Sequence, residues 1–302
     1  MKSFHSILGF AQEIQQPSGP EQMLPFDLPE NSRVEYKLEI VTGREHRLIE
    51  DPLNPRKSYD PFGSNSVCLG QGYHDPDWAR PDPEARPGQL EERGFYSRNF
   101  GEERHITLYL PARFRRTRRY PLLITHDGGD FLHFASMKTV LDNLIHRLEI
   151  PEMVVALTHP RDRLREYAHD ERHDRFLAEE LVPSLEQELP LMGTPVGRCL
   201  HGASFGAVAS LSAAVRFPGF YGGLLLQSGS FGFSDIGRHK RGPVFDPVVQ
   251  FVNGYRAHPT KVVERIYLSC GIYESLIYEN RSMVPLFQKT GTQVRYEEAR
   301  DG

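Results

Sequence analysis

Two hydrophobic patterns divide the chain, and the first occupies its front. Apolar and polar residues alternate from Arg33 to Ile40, which predicts a half-buried strand that ends at the turn Thr42-Gly43. A second strand is expected at 66–69, and turns that contain Pro, Asp and Gly lie between the two. Residues 1–22 show weak periodicity and predict at most one short ordered element. The pattern therefore predicts a small β-rich module over residues 1–72.

The second pattern begins after residues 73–94, a stretch rich in Pro and Asp that predicts an irregular connection between domains. From residue 95 onward, apolar runs of strand length alternate with segments of helix length. This alternation is typical of a mainly parallel sheet with helices on both faces, so we predict an α/β domain over residues 95–302. Strands are expected at 105–110, 120–125, 153–158, in the run before Gly202, 223–227, 266–270 and 293–298. Helices are expected at 134–148, 172–188, 207–217, 246–255 and 279–289.

The run from Val196 to Val208 carries the most specific chemical signal. A short apolar strand leads into Gly202-Ala203-Ser204-Phe205-Gly206, and a helix of small residues follows at once. This is the layout of a nucleophile elbow, in which a tight turn raises a hydroxyl above the sheet and the glycines leave room for the backbone. Ser204 is therefore the candidate nucleophile. The alternative is a serine in an ordinary tight turn.

An esterase of this layout also needs two backbone N–H groups that bind the developing oxyanion. One belongs to the residue after the nucleophile, Phe205, and the other comes from the loop after an early strand. The strand at 120–125 runs into His126-Asp127-Gly128-Gly129-Asp130-Phe131, where two glycines let a backbone N–H approach a substrate closely. We expect the second donor in this loop. A plain Gly-Gly turn between strand and helix is the alternative.

The acid of a catalytic triad is expected after a late strand, and the base after the last one. The strand at 266–270 runs into a loop that contains Glu274, which fits an acid that orients the base. A glutamate favoured by a helix N-terminus explains this position equally well. No histidine follows Glu274, and the last histidine of the sequence, His258, lies upstream of that strand.

Further candidates for substrate contact lie in the long loop after the strand at 153–158. This loop contains Arg165, Glu166 and Tyr167, and it is expected at the carboxyl edge of the sheet, where ligands bind in open α/β folds. Pinning of the loop is an equally good interpretation of these three residues. Phe131, at the end of the glycine-containing loop, is a fourth candidate for substrate contact.

Composition excludes several classes of protein. Hydrophobic residues make up 39% and charged residues 25%, which is ordinary for a folded domain. No apolar run approaches the roughly 20 residues of a membrane helix, and residues 1–10 lack the apolar core of a signal peptide. We therefore expect a cytoplasmic protein without a membrane partner. A net charge of −4 gives no argument for nucleic acid, and the basic run 113–119 is interpreted as a solvated loop.

No metal or cofactor is expected. The three cysteines fit neither a disulfide framework nor a zinc spacing, and the histidine cluster His159, His169 and His173 matches no zinc signature. His201 precedes the elbow glycine, and its side chain should point away from Ser204 because side chains alternate along a strand. It is interpreted as a packed structural histidine.

From about Arg104 to its end, the chain resembles the enterochelin esterase and feruloyl esterase group of α/β-hydrolases, often called the esterase D family. The resemblance is carried by five stretches that cover nearly all of the larger domain. The front also resembles the late part of the immunoglobulin-like module that precedes the hydrolase domain in enterochelin esterases, and this module looks incomplete. The five stretches are Ile106–Pro111, His126–Gly128, Arg163–Tyr167, Gly202–Gly206 and Gln227–Phe231.

The resemblance implies a serine esterase that uses no cofactor and acts on a small-molecule ester, with a homo-oligomer left open. It assigns Ser204 as the nucleophile and Glu274 as the acid. The oxyanion donors become the N–H of Phe205 and the N–H groups of Gly129 and Asp130. Substrates of the siderophore type or other aromatic acyl esters are the implied class.

In the family, the last strand leads into a Gly-His motif, whereas this sequence ends at Asp301-Gly302. Either the sequence is a fragment whose continuation supplies the histidine, or the protein lacks a competent triad. We favour the first explanation and expect the 302 residues alone to be nearly inactive, because loss of a triad member removes several orders of magnitude in rate. The alternative function is a non-catalytic homologue that binds a ligand or acts as a scaffold.

Overall fold

The computed structural model describes residues 2–6, 11–14, 28–233 and 242–300. The chain forms two compact units. The first comprises Met1–Asp75, Cys270–Ile277 and Glu298–Gly302, and the second comprises Pro76–Ser269 and Tyr278–Glu297. Within the described residues, no helix has the length and apolar character that crossing a membrane requires.

The first unit contains an antiparallel sheet with the order β2-β1-β3-β6-β5, in which β4 also pairs with β3. Two of its strands lie at the front of the chain, so the expectation of at most one short element there is wrong. Strand β1 pairs with the long strand β3, and β2 pairs with β1. This pairing stabilises the two front strands, whose own sequence shows little periodicity. The strands are β1 Lys2–Ser6, β2 Ala11–Ile14, β3 Arg33–Thr42, β4 Glu45–Ile49, β5 Lys57–Asp60 and β6 Gly63–Leu69.

The alternation in β3 buries Val34 and Tyr36, as the sequence predicts. The Tyr36 hydroxyl donates to Asp51 Oδ2 at 2.7 Å and accepts from Asn54 Nδ2 at 3.0 Å. A second hydrogen bond from Asn54 Nδ2 reaches the Val67 carbonyl at 2.8 Å. The turn at 51–54 is thus fixed to the sheet by side-chain hydrogen bonds. The predicted β module is confirmed as an antiparallel sheet, and its immunoglobulin-like character stays a prediction.

The second unit is built on an eight-stranded sheet with the order β14-β13-β12-β11-β9-β10-β8-β7. Strands β10, β9, β11, β12 and β13 pair in parallel, and the hairpin β7–β8 is antiparallel at one edge. The predicted, mainly parallel α/β sheet is confirmed. Its strands are β7 Gln89–Ser97, β8 Glu102–Leu110, β9 Leu122–Thr125, β10 Val154–Thr158, β11 Arg198–Ala203, β12 Gly223–Gln227, β13 Arg265–Gly271 and β14 Gln293–Ala299.

Helices follow most of the parallel strands. The predicted helix at 134–148 is confirmed as α2, which begins only at Met137 because Ser136 has a φ of 49° and interrupts the regular backbone. The short helix α1, which precedes it, was not predicted. The predicted helix at 172–188 extends over α4 and α5 with a wider π-helical turn at Phe176–Leu181 between them. The helices are α1 Gly128–His133, α2 Met137–His146, α3 Arg163–Glu166, α4 Glu171–Arg175, α5 Val182–Glu188, α6 Phe205–Arg216, α7 Asp246–Ala257 and α8 Ile277–Lys289.

The predicted irregular connection at 73–94 is wrong at its end, where β7 begins at Gln89. This strand pairs with β8 over all nine of its residues, yet most of its side chains are exposed. An edge strand held by backbone hydrogen bonds needs no apolar alternation, so the hydrophobic pattern could not show it. The remaining domain limits stay a prediction.

Candidate active site

The elbow has the geometry that its sequence predicts. Strand β11 ends at Ala203, and α6 begins at Phe205, so Ser204 alone makes the turn with φ 55° and ψ −118°. A residue other than glycine in such a conformation costs on the order of 1–3 kcal/mol, which the surrounding structure must offset. A Cβ on Gly202 would lie 2.3 Å from the Gly206 carbonyl carbon, so the turn closes only with glycine there. The residue predicted to react is thus held in a strained conformation.

The Ser204 side chain lies against a second serine. Its Oγ is 3.0 Å from Ser230 Oγ, and the Ser230 backbone N–H donates to the Ser204 carbonyl at 3.2 Å. The Ser204 N–H donates to the carbonyl of Gln227, the last residue of β12. The elbow is thus tied to the end of the neighbouring strand. Within the described residues, no histidine contacts Ser204 Oγ.

The loop after β9 lies directly beside the elbow. The His126 N–H donates to the His201 carbonyl at 2.9 Å, and a Cβ on Gly206 would lie 3.1 Å from His126 Cβ. The start of α6, at Phe205, therefore lies near the start of α1. The first turn of α1 includes Gly129 and Asp130. Backbone N–H groups in the first turn of a helix have no partner within that helix. The role of Phe205, Gly129 and Asp130 as oxyanion donors stays a prediction.

Asp127 lies in that loop with a left-handed backbone conformation, φ 54°. Arg163 binds its carboxylate through two nitrogens, Nε at 2.9 Å from both oxygens and Nη2 at 2.8 Å from Oδ2. The Tyr167 hydroxyl accepts a hydrogen bond from the Asp127 N–H at 3.0 Å. The Arg163 guanidinium also lies 5.6 Å from the Tyr167 ring centroid. These contacts hold the backbone immediately before the candidate oxyanion donors.

The structure separates the three candidates of the loop after β10. Arg165 is exposed, whereas Glu166 and Tyr167 are 4% and 0% exposed. Glu166 accepts hydrogen bonds from Arg104, one of them Nη1 to Oε1 at 3.0 Å, and from the Arg161 N–H at 2.9 Å. A ligand cannot reach either buried side chain. The structure therefore favours loop pinning for Glu166 and Tyr167, and substrate contact stays a prediction for Arg165.

The remaining candidates around the oxyanion loop are partly accessible. Phe131 is half-buried, and its ring packs on His201 with 4.5 Å between ring centroids. Burial, and then the neighbouring Asp127, raise the pKa of Asp130 above its ordinary value. His201 is 5% exposed and hydrogen-bonds Gln227 Oε1 at 2.9 Å, and burial lowers its pKa to about 4. The prediction of a structural histidine is confirmed.

A buried histidine pair supports the floor of this region. His126 Nδ1 is 2.9 Å from the His201 carbonyl, so this nitrogen carries the proton, and His126 Nε2 is 3.0 Å from His173 Nε2. His173 Nδ1 is buried without a hydrogen-bond partner, 3.9 Å from Glu166 Oε2. Burial lowers the pKa of both imidazoles. Both are therefore neutral at pH 7, and neither is placed to serve Ser204.

Glu274 lies in the turn between β13 and α8. Its Oε1 accepts a hydrogen bond from the Gly271 N–H at 2.8 Å, and its backbone N–H donates to the Gly271 carbonyl at 3.1 Å. The residue thus follows the carboxyl end of β13, as predicted. Within the described residues, no group of three His, Cys, Asp or Glu side chains is arranged to hold a metal ion.

Two contacts were not found by sequence reasoning, the ion pair of Asp127 with Arg163 and the hydroxyl pair of Ser204 with Ser230. The sequence carries a signal for both contacts, because each of the four residues follows a strand. Asp127 follows β9, Arg163 follows β10, Ser204 follows β11 and Ser230 follows β12. Carboxyl ends of adjacent parallel strands meet at one edge of a sheet. Strand order would have been needed to pair them.

Comparison with known proteins bears on this site. Residues 97–299 match the Esterase family. The chain belongs to that family. It is 26% identical over 219 residues to the iron(III) enterobactin esterase of Escherichia coli strain CFT073. The matched stretch covers 70% of this chain and 54% of the relative. It is 30% identical over 148 residues to the uncharacterized protein YjcH of Bacillus subtilis. This match covers 47% of this chain and 62% of the relative.

Solved esterases have a similar fold. The enterochelin esterase of Shigella flexneri has a TM-score of 0.73 at 20% identity, over 100% of this chain and 82% of that chain. A ferulic acid esterase of Anaeromyces mucronatus has a TM-score of 0.59 at 17% identity, over 76% of this chain and 88% of that chain. The predicted α/β-hydrolase fold is thereby confirmed. The chain spans only 54% and 62% of the length of the two curated relatives.

Proposed function

We propose that this esterase hydrolyses carboxylic esters through Ser204 as nucleophile. The observation that carries the proposal is the strained Ser204 at the turn from β11 to α6, beside the first turn of α1. Backbone strain of this kind clusters at functional positions, and the closure of the turn on Gly202 and Gly206 supports a nucleophile elbow over an ordinary tight turn. Membership of the Esterase family supports the reaction class.

In the proposed reaction, Ser204 Oγ attacks the ester carbonyl, and its proton passes to an imidazole base. The N–H of Phe205 and one of the N–H groups of Gly129 and Asp130 bind the oxyanion of the tetrahedral intermediate. Collapse of the intermediate expels the alcohol, which takes the proton, and leaves an acyl group on Ser204. Water then hydrolyses this acyl-enzyme by the same steps and releases the acid.

The base is proposed to be a histidine that the described residues do not include. His126, His173 and His201 are buried and bonded elsewhere, and Ser204 Oγ contacts Ser230. Glu274 is proposed as the acid that orients this base, because it follows β13 at the end of a strand. Ser230 would hold the serine hydroxyl in place until the base engages it.

For the substrate, we propose an ester with an aromatic acyl group. The named relatives are esterases of enterobactin and of ferulic acid, and the front β module favours the first of these two branches. A panel of short 4-nitrophenyl esters, feruloyl esters and catecholate trilactones distinguishes the branches. Hydrolysis confined to the short esters would contradict an aromatic acyl substrate.

Turnover of 4-nitrophenyl butyrate with and without added imidazole tests the reaction. Free imidazole can occupy the place of an absent base, so we expect it to raise the rate of the 302-residue chain above the solution background. Ser204→Ala should abolish that increase. Ser184→Ala, at a serine of α5 that is not part of the candidate site, should leave it unchanged. An increase of equal size in Ser204→Ala would remove the nucleophile from the proposal.

A second function, ligand binding without catalysis, is favoured by one observation. No described histidine contacts Ser204 Oγ, so the described part of the chain holds no complete triad. A protein that contains a histidine after the last strand and still shows no turnover would support this alternative.

A further inference from the structure

His159 is an unexplained group at the edge of the candidate site. It follows β10 directly, and β10 lies beside β9, the strand that leads into the oxyanion loop. A Cβ built on Gly129 would lie 3.5 Å from His159 Nδ1. This ring nitrogen therefore faces the backbone of a proposed oxyanion donor.

A chain of hydrogen bonds fixes which nitrogen carries the proton. The Thr107 hydroxyl donates its single hydrogen to Glu92 Oε1 at 2.8 Å. Thr107 Oγ1 also lies 2.8 Å from His159 Nε2, so the oxygen must accept a hydrogen from that nitrogen. The neutral ring then has its proton on Nε2, and Nδ1 keeps a lone pair. His159 thus presents an acceptor, and not a donor, towards Gly129.

This acceptor has no partner within the described residues. His159 Nδ1 receives no hydrogen bond there, and it is absent from the buried unpaired atoms, so it is open to solvent. Burial lowers the pKa of His159. The neighbouring carboxylates Glu92 and Asp130 act to raise this pKa, and His105 acts to lower it. The ring is consequently neutral at pH 7 and remains an acceptor.

We propose that His159 Nδ1 accepts a hydrogen bond from a hydroxyl group of the bound ester, which makes His159 a specificity-determining residue. The inference rests on the proposed function, because it places the ester carbonyl at the N–H groups of the oxyanion loop. A ligand that carries a hydroxyl near the carbonyl donates a hydrogen bond to this nitrogen. Ligands without one leave a desolvated nitrogen unpaired, and polar sites reject such analogues.

The test compares the binding of benzoate with the binding of 2-, 3- and 4-hydroxybenzoate, which are acids that the reaction would release. Binding is measured by titration calorimetry, and the protonation of His159 by ¹⁵N resonances of labelled histidine. We expect one hydroxybenzoate to bind about 3- to 10-fold more tightly than benzoate, the range of one neutral hydrogen bond. The same ligand should shift the His159 Nδ1 resonance, which benzoate should not.

Variants separate the acceptor from a structural role. His159→Phe keeps a ring but removes the acceptor, so the preference should vanish while benzoate affinity is retained. In Glu92→Leu, the Thr107 hydroxyl is free to donate to Nε2, which moves the imidazole proton to Nδ1 and should abolish the preference with His159 still present. Glu92→Gln keeps an accepting oxygen and should preserve the preference.

Equal affinity for all four acids, no binding of any of them, or an unchanged preference in His159→Phe would overturn the inference. Failure of the proposed function has a different signature. In that case Ser204→Ala would not alter ester turnover, yet the preference and its loss in His159→Phe would persist.

Discussion

At the scale of single residues, the sequence predicts the elbow well because its chemistry is local. Gly202, Ser204 and Gly206 lie within five positions, and the steric reason for Gly202 is its close approach to Gly206 in the same motif. The pairs of Asp127 with Arg163 and of Thr107 with His159 could not be predicted in this way. Their partners are 36 and 52 positions apart and meet only through strand order.

The close approach at Gly202 gives a stability prediction. Gly202→Ala places a Cβ 2.3 Å from backbone of the next helix, where no side chain can yield, so we expect a loss of several kcal/mol, on the order of 3, in the free energy of unfolding. Urea denaturation followed by circular dichroism measures it. Gly254→Ala is the matched control, because Gly254 is exposed in α7 with nothing near its Cβ, and it should gain about 1 kcal/mol. Equal stability of both variants would contradict the packing described for the elbow.

The ion pair that holds the oxyanion loop gives a second prediction. Asp127 is 6% exposed, so Arg163→Gln leaves a buried carboxylate without its cation and should cost about 3 kcal/mol of unfolding free energy. Adding Asp127→Asn removes the unpaired charge, and the double variant should recover part of that loss. Urea denaturation of the wild type, both single variants and the double variant provides the cycle. Strict additivity of the two single effects would show that the two side chains do not interact.

At the scale of elements, hydrophobic periodicity located nearly all strands and the longer helices of the second unit, and two of its failures have a clear physical cause. It missed β7, whose exposed edge position removes the apolar alternation. It also predicted one regular helix where a π-helical turn precedes α5. Pro183 explains that turn, since a proline within a regular helix loses a hydrogen bond and clashes with the carbonyl four positions earlier.

The buried histidines between β9, β11 and α4 predict a pH dependence of stability. Burial lowers the pKa of His126, His173 and His201, so the unfolded chain binds more protons than the folded chain below about pH 6.5. Their contribution to the free energy of unfolding is complete above pH 6.5 and is lost as the pH falls towards 4. Asp174, whose pKa is raised to about 6, opposes this, because its contribution is present at acid pH and is lost as the pH rises from about 4 to 6.

Burial also lowers the pKa of His159 and His169 and raises the pKa of Asp130. The three buried histidines together with these two outweigh Asp174 and Asp130, so the free energy of unfolding should fall between pH 6.5 and pH 4. Urea denaturation at intervals of half a pH unit measures the slope. His201→Gln removes one of the three groups and should flatten it, whereas His74→Gln, at an exposed position, should not. A stability that rises on acidification over this range would contradict the neutral histidine cluster.

At the scale of the whole molecule, the alternation of strands and helices was enough to predict the mainly parallel α/β sheet, because parallel strands need helical crossovers that leave a recognisable pattern. The first unit was predicted less completely. Its front strand β1 is stabilised by pairing with distant β3, and β2 pairs with β1, which the local sequence does not indicate. The proposed catalytic base is not among the described residues, and no pattern within them identifies it.

The account depends most on Ser204 as the nucleophile, and covalent labelling tests that claim directly. The protein is incubated with a fluorophosphonate probe in the presence of imidazole, digested, and sequenced by mass spectrometry. We predict one modified residue, Ser204, with no modification in Ser204→Ala and unchanged modification in Ser184→Ala. Labelling of a different residue, or equal labelling of the Ser204→Ala variant, would contradict the assignment of the nucleophile and the mechanism built on it.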